Sequence, residues 1–133
     1  MATRTSSPAV RDLFLALIGA QALHSVEEYF TKLYDVFPPA RFISGLFTSN
    51  LRLGFAGFNV ALVAFGVWCY AARVRRNHPG AAGWVWFWAV LELANGLGHL
   101  ALAANRGSYY PGAATAPVLI AAAVMLAYRQ VRT

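Results

Sequence analysis

Residues 13–31 read LFLALIGAQALHSVEEYFT, an apolar run that meets a histidine and two adjacent carboxylates before it is long enough to cross a bilayer. A helix needs about 20 residues to span the hydrocarbon. The apolar part alone, LFLALIGAQAL, ends at Leu23. If the helix stops there, His24, Glu27 and Glu28 sit in headgroups or water; if it runs on to residue 31, they lie inside the membrane. Composition favours the second reading. The 133 residues are 59% hydrophobic and 12% charged, and that charged share is about half the globular norm. A chain this short cannot hide so much apolar surface in one water-soluble core. Lipid is expected to cover the rest.

Four runs then have the length and composition of spans: 13–31, 51–72, 83–104 and 112–128. The reading is therefore all-α, a single domain built as a four-transmembrane-helix bundle. The Phe-rich connection 31–50, broken by Pro38 and Pro39, is expected to lie along the outer interface as a short helix or lid. Pro117 should bend the fourth span. Arg4, Arg11 and Ala20-Gln21-Ala22 also imitate a secretory signal with its cleavage site, but a retained first span is the preferred reading. The net charge of +6 comes from ten Arg and one Lys against five acids. The arginines flank apolar runs instead of forming one stripe, which reads as topology and not as a nucleic-acid footprint. Arg73, Arg75 and Arg76, with Arg129 and Arg132, put both termini on the cytoplasmic side by the positive-inside rule. WVWFW, 84–88, would then form a cytoplasmic aromatic belt, with Tyr109 and Tyr110 at the far face. The single Cys69 forms no intrachain disulfide.

Three of the five acids and two of the three histidines fall inside these spans, where an ionisable group costs several kcal/mol unless it is paired, neutralised or metal-bound. Gln21, His24 and Glu28 share an arc of about 60° on a helix, with Glu27 at its edge. Glu92, Asn95 and His99, at i, i+3 and i+7, form a second polar stripe. Rise per residue places His24 to Glu28 about 16–22 Å into the membrane and Glu92 to His99 about 12–22 Å, with Asn59 in the same layer. The two faces can meet.

HSVEE, supplying His24, Glu27 and Glu28, followed by Asn95-x-x-x-His99 and by YYPG at 109–112, resembles the HXXEE family of small membrane proteins, which is named for that motif. The resemblance runs from about residue 12 to 125. It implies a membrane fold and a site at these residues, and names no reaction.

Three carboxylates in one apolar layer would repel one another, and a divalent cation removes that repulsion. Two imidazoles and three carboxylates suit Fe, Mn or Zn. The expected ligands are His24, Glu28, Glu92 and His99, with Glu27 as general base or orienting group, a catalytic share for Glu92, and Asn59 and Asn95 in support. The substrate would be a hydrophobic or lipid-like small molecule reached from the bilayer or from under the 31–50 connection. Three alternatives stand beside this: metal-free acid–base chemistry such as isomerisation, cyclisation or epoxide opening on a lipid-like or terpenoid molecule; an ion-coupled transporter subunit, which would need a homo-oligomer; and a purely structural membrane protein. Interhelical hydrogen bonds would account for the same polar residues in the last case. Gly54, Gly57, Gly96 and Gly98 are expected to permit close helix contact.

Overall fold

The computed structural model describes residues 6–133, so the expectation for Arg4 lies outside the described residues. Among these the chain is all-helical: α1 Pro8–Phe30, α2 Leu33–Val36, α3 Pro38–Gly45, α4 Leu51–Cys69, α5 Ala81–Arg106 and α6 Ala116–Val131, with a π-helical turn, Tyr70–Val74, continuing α4. Helices α1, α5 and the continuous α4–π segment are long and apolar enough to cross a membrane. Helix α6 is apolar but has 16 residues, short of the ~20 a span needs.

Helix α1 does not stop at Leu23. Ser7 caps it by accepting the Val10 N–H (3.3 Å), and Pro8 fills its first position, where no backbone donor is needed. It runs unbroken to Phe30, so Ala20-Gln21-Ala22 lies in mid-helix. It ends where Lys32 turns left-handed, at φ 58°. Pro38 and Pro39 then open α3, and the 31–50 connection becomes two short helices, as its proline and aromatic content suggested. Asn50 caps α4 through the Leu53 N–H (3.2 Å).

Helix α6 packs between α1 and α5, while α4 packs against α1 and α3. The principal core joins Phe14, Leu17 and Ile18 of α1 to Val85, Trp88 and Ala89 of α5 and to Ala123 and Leu126 of α6. Small residues set the close approaches. A Cβ on Gly96 would come within 2.7 Å of Ile120, and one on Gly54 would overlap the Ser44 carbonyl. Gly57 and Gly98 have nothing within reach and carry no contact. Backbones of α4 and α5 do not pack together. Aromatic rings bridge them instead: Phe65 meets Trp84, Phe87 and Trp88 at 5.6–6.5 Å between centroids, and Trp68 meets Trp84 at 6.2 Å. Offset and edge-on ring pairs of this kind hold helices at a distance that aliphatic packing would close. The gap that remains beyond the rings becomes the site cavity.

Two details depart from the sequence reading. Trp88 is fully buried against Phe14 and Phe65, so it does not face outward as a belt would require. Pro117 does not bend a span. It lies in the first turn of α6, and residues 112–115, expected to be helical, form an irregular segment that folds back over α1.

Candidate metal centre

His24 and Glu28 occupy successive turns of the buried α1 face, and His99 reaches them from α5. His24 is 0%, Glu28 5% and His99 5% exposed, so all three are buried. Both imidazole Nε2 atoms face one oxygen: Glu28 Oε1 is 3.2 Å from His24 and 2.9 Å from His99. Ligand atoms of all three lie within 4.8 Å of one another.

The other ring nitrogens are already committed. His99 Nδ1 donates to the Pro111 carbonyl (2.7 Å), which can only accept. His24 Nδ1 lies 2.6 Å from Thr115 Oγ1, and Thr115 gives its one hydroxyl proton to Glu27 Oε2 (2.5 Å). The Thr115 oxygen therefore accepts, and His24 Nδ1 carries the proton. Each neutral imidazole is left with a bare Nε2 lone pair pointing at a carboxylate oxygen. His24 Nε2 is buried without a hydrogen bond. Two nitrogen lone pairs aimed at one carboxylate oxygen, with the second nitrogen of each ring oriented by an acceptor, form with that oxygen a donor set that a cation fits.

Glu27 turns away from the triad. It accepts the Tyr109 hydroxyl, the backbone N–H groups of Ala114 (3.0 Å) and Thr115 (2.8 Å), and the Thr115 hydroxyl. Its carboxylate thus closes the start of α6, where the helix dipole favours a negative group, and ties the 109–115 segment over the histidines. Tyr109 stays half exposed while its hydroxyl reaches Glu27, and Tyr110 points inward. Tyr110 packs with Leu33, Tyr34 and Phe55 instead of forming an outer belt. Gly112 sits on both imidazoles in a left-handed conformation, φ 91°. A Cβ there would lie 2.5 Å from His99 Nδ1 and 2.9 Å from His24 Cε1.

Glu92 does not join His24, Glu28 and His99. It lies seven residues before His99 on α5, about 10 Å along the axis, and outside the group whose ligand atoms lie within 4.8 Å of one another. It is buried beside Gln21 and Asn95 instead: Asn95 Nδ2 donates to Glu92 Oε2 (3.2 Å), and Gln21, with its amide turned to satisfy both groups, donates to the same oxygen at 2.6 Å. Ser25 Oγ lies 3.0 Å from Gln21 and 2.7 Å from Asn59 Oδ1, so Asn59 enters the layer through Ser25. A cavity of about 370 Å³ lies between α4 and α5 under α3, and Glu28, His99, Glu92, Gln21, Asn95 and Asn59 line it.

Sequence reasoning missed Ser25, Tyr109, Pro111, Gly112 and Thr115. YYPG was visible as a motif, and its Gly marks a backbone approach. Nothing in the spacing links Thr115 to His24. Comparison with curated proteins and with solved structures finds no match. A family model described as a protein of unknown function with HXXEE motif matches residues 15–126, and the chain belongs to that family.

Proposed function

We propose that this chain is an integral membrane metalloprotein of four spans, α6 being the fourth, with both termini on the cytoplasmic side. It binds one divalent cation through His24 Nε2, Glu28 and His99 Nε2, and it acts on a hydrophobic or lipid-like small molecule held in the adjoining cavity. One observation carries the reading: two buried Nε2 lone pairs face the same Glu28 oxygen while both Nδ1 atoms are already bonded elsewhere. A single proton in the cluster, on Glu28 or on one Nε2, serves one imidazole and leaves the other bare, whereas a cation takes a lone pair from each of the three residues.

Two imidazoles and a carboxylate suit Zn, Fe or Mn, and three protein ligands leave a coordination position open. A metal held there would supply Lewis acidity or an acidified water. Of the two roles open to Glu27, its contacts support orientation: through Thr115 it fixes the His24 tautomer. Metal-free acid–base chemistry is the second reading. It draws on the neighbouring buried carboxyl, Glu92, but leaves His24 Nε2 unserved.

Elemental analysis of detergent-purified protein beside a His24→Ala, His99→Ala double variant tests the proposal. About one equivalent of metal in the wild type and none in the variant is expected. A metal-free wild type, or equal metal in both, would overturn it.

A further inference from the structure

Across the cavity from Glu28 and His99 stands a second polar group that the triad does not use. Glu92 is 1% and Gln21 1% exposed, and both line the cavity with Asn95. The shorter contacts from Gln21 and Asn95 fall on Glu92 Oε2; Oε1 receives only a 3.2 Å approach from Gln21. A buried carboxyl oxygen so lightly engaged beside an open cavity is costly unless a ligand completes its hydrogen bonding.

The remaining walls are apolar. Phe58 and Leu62 of α4 face Leu91 of α5, and Phe58 and Leu91 are also exposed on the outer surface of the bundle, at 36% and 37%. This is the gap that the aromatic bridge of Phe65, Trp68 and Trp84 holds open. The cavity therefore has a polar end deep between the helices and an apolar flank facing lipid.

We propose that Glu92, Gln21 and Asn95 form the head-group subsite for a lipid alcohol, whose hydrocarbon body lies between α4 and α5 and reaches the site sideways from the bilayer. The chemistry selects the head. No Lys or Arg lines the cavity, and the Glu92 carboxyl stands at its head-group end, so an anionic head would meet a like group there and no basic side chain. A volume of about 370 Å³ shared with the tail leaves no room for a bulky zwitterionic or sugar head. A hydroxyl donates to Glu92 Oε1 and accepts from an amide, meeting both groups present. An ammonium head would be drawn to the carboxyls but repelled by a cation at the triad. The alcohol assignment thus rests on the metal reading, whereas the subsite itself does not.

The test uses the full chain in phosphatidylcholine nanodiscs, loaded with Co²⁺, and three probes with one tail: 1-tetradecanol, tetradecylamine and tetradecanoic acid. Visible absorption of bound Co²⁺ reports ligands near the triad, and native mass spectrometry reports retention independently of metal. Tetradecanol is expected to bind at least tenfold more tightly than the acid or the amine. Glu92→Leu should keep one equivalent of Co²⁺ and lose tetradecanol affinity at least tenfold, while Glu92→Gln retains most of it. Leu91→Trp, on the lipid-facing side where folding tolerates bulk, should block the tail without touching the metal. Wild-type tetradecanol binding in both Glu92→Leu and Leu91→Trp, or a preference for the acid or the amine, would overturn the subsite. A wild type that takes up no Co²⁺ yet retains tetradecanol in a Glu92-dependent way would sink the metal reading alone.

Discussion

Replacing Gly112 by alanine adds one methyl group where the 109–115 segment lies against both histidines. The new Cβ would sit 2.5 Å from His99 Nδ1, 2.7 Å from His99 Cε1 and 2.9 Å from His24 Cε1, where ordinary contact begins near 3.4 Å. Relief requires a shift of roughly 1 Å between ring and backbone, enough to cost about half of the contact energy and to stretch the hydrogen bond out of range. The His99 to Pro111 bond, 2.7 Å long, spans that same interface. A left-handed conformation at φ 91° adds about 1–2 kcal/mol for any residue with a Cβ. Loss of a group that orients a metal-bound histidine lowers affinity about 10–100-fold. We therefore expect Gly112→Ala to weaken metal binding by at least tenfold, read by chelator competition, and to lower the unfolding temperature in detergent. Unchanged affinity together with an unchanged melting temperature would refute the placement of the loop on the imidazoles.

Glu27→Gln replaces an acceptor of four donors by an amide with one acceptor oxygen, and should weaken metal binding about 10–100-fold without removing a ligand; loss of metal no greater than in a surface control would count against the orienting role. Gly54→Ala drives a Cβ into the Ser44 carbonyl, a backbone atom that cannot swing away, so α3 should detach from α4 and limited proteolysis near residues 46–50 should accelerate. Partial burial, and then the Glu27 carboxylate beside it, push the Tyr109 phenol above its ordinary pKa. The neutral phenol's contribution is then complete below the unfolded value near 10 and is lost as pH rises through the higher folded value. Stability measured across that window should fall less in Tyr109→Phe than in the wild type, and parallel curves would contradict the Tyr109–Glu27 contact.

The polar layer was legible because its signals are local. Helical periodicity put Gln21, His24 and Glu28 on one face, and rise per residue matched their depth to His99. The same arithmetic separates Glu92 from His99 by two turns, so the expected four-ligand set asked two side chains about 10 Å apart along the helix axis to converge on one ion. Proline is ambiguous by nature. Pro117 suits a kink in a span as well as a first helical turn, and only the fold shows that residues 112–115 leave the helix to cover the histidines. Trp88 was read with its aromatic neighbours, yet its position one turn after Trp84 already allowed an inward face. Thr115 and Pro111 orient the imidazoles across more than ninety and about a dozen residues, respectively. No periodic pattern carries information over such separations; the segment that supplies them has neither helix nor strand.

X-ray absorption spectroscopy at the edge of the metal that purifies with the wild-type protein tests the central claim most directly. The account predicts outer-shell scattering from two imidazoles and inner-shell oxygen from Glu28, with a Glu92→Gln spectrum unchanged in ligand number. A spectrum without histidine scattering, or one in which Glu92→Gln removes a ligand, would contradict the three-residue centre.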